Sequence, residues 1–291
     1  MSKEIKIEFN NTDESYWRHE ICTYYGQLSK NGNGTKVTFF FANSINVENI
    51  LPFHLVTLAN LIHYLSTNGY LTCINKDQNL PVYEYIYKDL NFSEYWKGGK
   101  NHVEAQTSKD IFNLWRIVEN EMDLYAKKVE DYFRNTYFKK KDLSFISTIM
   151  TEAFYNVFDH AKAGNNAFSI IKYIEEDNKL HVAISDFGIG ITKSVRSFLP
   201  SIKNDKEALK IAVKDKFTVG STLRNRGFGL ANILNGADTA RIFSGMASLL
   251  KEENTGIQFY DTDINYPGTL IYFEVDLSKS EDEVIIEEFD W

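Results

Sequence analysis

Residues 151–161 read Thr151-Glu-Ala-Phe-Tyr-Asn-Val-Phe-Asp-His-Ala161 and close a predicted helix, Leu143–Ala161. At ~100° per residue, Glu152, Asn156 and Asp159 stand at i, i+4 and i+7 and fall within roughly 60° of one another. Ile146, Ile149, Ala153 and Val157 form an adjacent apolar stripe, and Phe154 and Phe158 cover much of the rest. A helix apolar over most of its circumference belongs inside a protein. Two carboxylates and an amide on such a helix are costly unless a partner or ligand satisfies them. A stripe that reaches solvent is the ordinary alternative.

Three further segments follow. Ala183-Ile-Ser-Asp-Phe-Gly-Ile-Gly-Ile191 is a strand ending in Asp186, with Gly188 and Gly190 free to bend and to admit a close neighbour. Arg224-Asn-Arg-Gly-Phe-Gly-Leu-Ala-Asn-Ile233 places Gly227 and Gly229 at the entry of a short predicted helix, Phe228–Leu234. Backbone N–H groups there can bind an anion without cationic side chains. Pro267-Gly-Thr-Leu-Ile-Tyr-Phe-Glu-Val275 is a turn that brings Thr269 to the start of a strand. Each segment taken singly also reads as an ordinary turn or helix entry.

Around them, apolar residues at Phe112, Trp115, Val118, Met122, Tyr125 and Val129 predict one long helix from Ser108 to about Phe138. Ala167–Ile174 and Leu180–Ser185 read as strands, and 187–227 as a long irregular stretch. The second half is thus α+β, with helices first and a largely antiparallel sheet after. In the first half, Ile5, Ile7 and Phe9 alternate as a strand and Glu14–Leu28 is helical. Val37–Phe41 is a strand apolar enough to be covered on both faces. Ile50–Ser66 has helical spacing, Tyr70–Ile74 returns as a strand, and Val82–Leu90 is helical again. Strand, helix, strand, helix implies a small α/β unit with neighbouring parallel strands. Gly98-Gly-Lys-Asn-His-Val103 is the best boundary between the halves.

The chain of 291 residues is long enough for two domains at ~150 residues each. Lys+Arg 32 against Asp+Glu 40 gives 32 − 40 = −8, which argues against a broad nucleic-acid-binding surface. Two cysteines are too few for a disulfide scaffold or a zinc cluster. Six histidines show no His-Glu-x-x-His pair, so a metal centre built on them is a poor reading. His54 and His63 are expected to pack along their helix, and His160 to cap its own. No run approaches the ~20 apolar residues of a membrane span, and the N-terminal residues lack the apolar core of a signal peptide. The expectation is a soluble cytoplasmic protein.

In this order and spacing the four segments resemble the GHKL ATPases, the superfamily of gyrase, MutL, histidine kinases and the anti-sigma-factor serine kinases. The resemblance covers roughly 108–277. Residues 151–161 look like the N box, Asp186–Ile191 the first glycine box, Asn225–Leu230 the second, and Gly268-Thr269 the final strand motif. It implies a Bergerat α/β sandwich with a mixed, largely antiparallel sheet over 104–278, binding ATP and Mg²⁺. It further implies Asn156 as the Mg²⁺ ligand, Asp159 beside it, and Glu152 as general base toward water or a protein hydroxyl. Asp186 would accept the adenine amino group, with Thr269 assisting. Gly188, Gly190 and Ile191 would admit the nucleotide, and Gly227, Phe228, Gly229 and Leu230 would meet its phosphates. Residues 192–224 would be a flexible lid, with Ser221 and Thr222 at its closing end. The second box departs from the usual pattern, with Asn225 where another glycine normally stands.

Residues 1–103 are similar to STAS domains, a docking or regulatory α/β unit. The segment Asn49-Ile-Leu-Pro-Phe-His54 stands where phosphorylated members carry Asp-Ser-Ser/Thr-Gly. Histidine-kinase character is not expected, because His19-Glu20 lacks the Arg-Thr-Pro continuation. The resemblance therefore points to a signalling ATPase or a serine/threonine protein kinase of GHKL type with a protein partner or substrate, a homodimer remaining open. The alternative is a nucleotide-gated interaction module without turnover. The acidic tail 279–291, alternating acid with Val, Ile, Phe and Trp, is either a solvated end or a docking peptide.

Overall fold

In the computed structural model the described residues are 4–28, 31–90, 92, 107–108, 110–139, 141–160, 167–214, 229–280 and 282. The first half builds a three-stranded sheet from β1 (Glu4–Phe9), β2 (Lys36–Phe41) and β3 (Leu71–Ile74). All its pairings are parallel, in the order β1-β2-β3. Parallel neighbours need crossovers. These are α1 (Glu14–Gln27) and α2 (Pro52–Thr67), with α3 (Leu80–Glu84) after β3. Asp13 caps α1 by accepting the Tyr16 N–H at 2.9 Å. His54 is buried at the start of α2, where its Nδ1 accepts the Leu51 N–H at 2.9 Å. Burial pushes its imidazole pKa down to about 4, so it is neutral there. Phe9, Trp17 and Phe41 stack as the core, and Trp17 Nε1 donates to Thr57 on α2 at 3.2 Å.

The second half carries a six-stranded sheet in the order β4-β5-β6-β7-β9-β8. Its strands are β4 (Thr107–Ser108), β5 (Ile111–Ile117), β6 (Ala167–Ile174), β7 (Lys179–Asp186), β8 (Thr239–Glu252) and β9 (Gly256–Asp276). Every described pairing in it is antiparallel, so parallel strands are confined to the small sheet. One face takes α4 (Met122–Thr136) and α5 (Ser144–Tyr155). The rings of Phe112 and Tyr125 meet edge-on there at 5.4 Å, and those of Tyr137 and Tyr173 at 4.6 Å. The other face takes α2, through Phe53 on Tyr272 at 5.6 Å and His63 on Phe168 at 5.9 Å.

This placement explains why α2 is apolar almost all round. Thirteen of its sixteen residues are buried, because it lies between two sheets. Glu14 on α1 adds an ion pair to Arg241 on β8. The expected boundary at 98–103 lies outside the described residues.

Two expectations are corrected. Residues 111–117 are not the start of a long helix but a strand. Ile-Phe-Asn-Leu-Trp-Arg-Ile is dense in β-branched and aromatic residues, and pairing with β6 overrides the helical spacing of its apolar positions. The helix starts only at Met122. Nor is 187–214 irregular, because α6 (Ile191–Phe198) and α7 (Asp205–Ala212) occupy it. Those helices pack on each other and on β8. Of the expected lid, residues 215–224 lie outside the described residues.

Candidate functional site

Asp186 ends β7 on the face covered by α4 and α5. Strand alternation fixes this, since Tyr173 pairs with Leu180 and Ala167 with Asp186, and paired residues share a face. Thr269 on β9 is its partner on the other side. Both residues are fully buried. Asp186 Oδ1 accepts the Gly188 N–H at 2.6 Å. Its Oδ2 is buried with no hydrogen-bond partner among the described residues. Burial pushes the carboxyl pKa up to about 7, against the pull of its backbone donors. An acceptor oxygen left unsatisfied at full burial is expensive, and a ligand N–H would satisfy it.

The glycines around it are required by contact. Gly190 has φ +80° and caps α6; a Cβ there would lie 2.6 Å from both the Gly268 carbonyl and Ser244 Oγ. Gly268 has φ +94°, and its Cβ would lie 2.7 Å from Asp186 Oδ1 and 2.8 Å from the Gly188 nitrogen. Thr269 Oγ1 accepts the Ile191 N–H at 3.3 Å, which ties the loop to β9. Gly188, Gly190, Ile191 and Thr269 thus gather around Asp186.

Helix α5 brings the second group. At Asn156 it widens into a π-helical turn, 156–160, a feature frequent at functional sites. The predicted α-helical stripe therefore ends at Asn156. Asp159 sits on the wider turn, and its side chain lies outside the described residues. Asn156 is buried, and its Nδ2 donates to the Glu152 carbonyl at 2.7 Å, which leaves Oδ1 as its acceptor. Glu152 is half-buried, and desolvation raises its pKa. Asn232 Nδ2 reaches Glu152 Oε1 at 3.5 Å from α8 (Gly229–Gly236), which packs along α5. Leu230 is buried on α8. The turn at 156–160 packs on α6, which begins at the Asp186 loop, so α6 links the two groups.

Ser221, Thr222, Gly227 and Phe228 lie outside the described residues, and Gly229 is the first residue of α8. Asn232 and Ser244 were not anticipated. Ser244 Oγ donates to the Gly268 carbonyl at 3.0 Å and receives the Thr192 N–H at 3.3 Å. The Ser244-Gly245 pair inside a long apolar strand is the signal that could have found it, because it marks a bulge, and the β8–β9 register shifts there. Among the described residues no His, Cys, Asp and Glu cluster could hold a metal ion by itself, and no helix is long and apolar enough to cross a membrane.

No protein-family model matches the chain, and no similar sequence is found among curated proteins.

Proposed function

We propose that this chain binds Mg²⁺-ATP as a GHKL-type signalling ATPase or protein kinase, with the 1–103 unit as its STAS-like docking or regulatory module. The observation that carries the reading is the buried Oδ2 of Asp186, without a hydrogen-bond partner among the described residues, within a glycine cradle that a Cβ would fill. Such an oxygen suits the amino group of adenine, and Thr269 stands beside it on β9. Asn156 Oδ1 suits a magnesium ion, which favours oxygen ligands. Bound Mg²⁺-ATP would supply the phosphoryl group and the cation that offsets its charge.

Glu152 is the general base of this reading. Desolvation raises its pKa, which suits a carboxylate that takes a proton from water or a protein hydroxyl, and Asn232 steadies Oε1. Cys22 and Cys73 are free thiols, which suits a reducing compartment and supports a cytoplasmic setting. The acceptor distinguishes a kinase from a hydrolase, and a protein partner is part of either.

Titration of the full chain with ATP, with and without Mg²⁺, tests the proposal. Saturable binding that weakens by roughly 1.5–3 kcal/mol in Asp186→Asn is expected for a lost charge-assisted hydrogen bond. Absence of saturable binding ends the reading.

A further inference from the structure

Behind the Asp186 loop lies a cleft of about 580 Å³, within the size range of small-molecule sites. It opens on the opposite face of the sheet. Tyr266, one of its walls, hydrogen-bonds Ser185 at 2.6 Å, and Ser185 points away from the face of its neighbour Asp186 by strand alternation. The first half of the chain contributes Tyr25 from α1. The ring of Phe187 meets Tyr25 edge-on at 5.0 Å and Tyr266 at 6.1 Å, so three aromatic rings line one side.

The lining also carries charge. Lys193 and Arg196 stand three residues apart on α6, and both line the cleft. Arg196 is paired with Asp205 at 2.8 Å. Lys193 is exposed and has no ion-pair partner among the described residues. Asp205 also lines the cleft and is matched to Arg196, so among the described residues Lys193 adds one positive charge to the lining without an ionic partner.

We propose that this cleft is a second ligand site, distinct from the Asp186 pocket, for a small molecule that joins a planar aromatic ring to an anionic group. The ring packs against Tyr25 and Phe187, and the anion lies at the Lys193 ammonium and the Arg196 guanidinium. The site lies at the junction of the two halves of the chain and borrows a wall from each. Its lining includes Gly188 and Gly268 from the cradle around Asp186, and Gly188 donates its N–H to Asp186 Oδ1. A ligand in the cleft thus bears on the loop from behind. The binding claim goes beyond the nucleotide reading and stands whether or not ATP binds.

The probe is 2-naphthyl phosphate, titrated into the full chain without nucleotide and followed by calorimetry. One saturable site is expected. Lys193→Glu should weaken it by about tenfold or more, through reversal of the charge that meets the anion, while Lys193→Arg keeps it within about twofold. Tyr25→Ala should weaken it too, and Asp186→Asn should leave it unchanged. Because Lys193 is exposed, its variants keep the fold, which circular dichroism verifies. No saturable binding, or equal affinity in Lys193→Glu, overturns the proposal. Loss of binding in Asp186→Asn with Lys193→Glu unaffected also overturns it, since the probe would then occupy the other pocket.

Discussion

Gly268 and Asp186 approach so closely that a Cβ on the glycine would stand 2.7 Å from the carboxylate Oδ1. Gly268 also has φ +94°, in the left-handed region that side chains avoid. Gly268→Ala combines backbone strain, of order 1–3 kcal/mol, with displacement of the Asp186 side chain. The expected outcome is a lower urea midpoint with an unchanged m-value. Gly190→Ala, at φ +80° and 2.6 Å from the Gly268 carbonyl, should behave likewise, and a midpoint equal to wild type in both variants would contradict this packing.

The Asp186 carboxyl sets a pH dependence. Its folded pKa, about 7, lies above the ordinary aspartate value of 3.8, so between these values the folded state holds a proton that the unfolded state has released. Stability therefore falls as pH rises from about 4 to 7, by at most about 4 kcal/mol at ~1.4 kcal/mol per pH unit. Asp186→Asn keeps an acceptor for the Gly188 N–H and cannot ionise. Urea unfolding at a series of pH values should show a shallower decline in the variant, which becomes the more stable protein above pH 7. Parallel profiles for the two proteins would show that Asp186 is ionised throughout.

Glu152 separates turnover from binding. Glu152→Gln preserves shape and the contact with Asn232 but removes the base, so phosphate release or partner phosphorylation should fall ~10²–10⁴-fold with ATP affinity little changed. An unchanged rate would favour a nucleotide-gated module over an enzyme. Both quantities are read from one protein by calorimetry and a coupled phosphate assay.

Phe53 tests the union of the two sheets. It is buried on α2, and its ring meets Tyr272 of the large sheet edge-on at 5.6 Å. Phe53→Ala should cost about 3–5 kcal/mol. Since α2 also packs against Trp17 of α1, which stacks on Phe9 and Phe41 of the small sheet, tryptophan fluorescence and far-ultraviolet circular dichroism should shift together as one transition. Two separated transitions would show that the sheets unfold independently.

Much of the architecture was legible in the chain itself. Alternation gave β1, hydrophobic runs gave β2 and β6, and glycines and prolines marked the turns, because these signals act over a few residues. The order strand, helix, strand, helix was enough for parallel pairing in the small sheet, since such strands need crossovers. Asp186, Gly188 and Gly190 were also visible as a set, because a strand end followed by glycines is a local event, whereas Thr269 was joined to them only by the resemblance to GHKL ATPases.

Partners distant in sequence decided the rest. Residues 111–117 carry helical spacing yet form a strand, because the edge of β6 offers them hydrogen bonds that no local signal encodes. The all-round apolarity of α2 acquires its meaning only from the second sheet that covers it. The widening at Asn156, the approach of Asn232 to Glu152 across 80 residues, and the burial of Asp186 Oδ2 likewise arise from packing. Local sequence specifies periodicity and turns, but which side chains converge is set by long-range burial, whose free energy is gained only when separate segments close on one another.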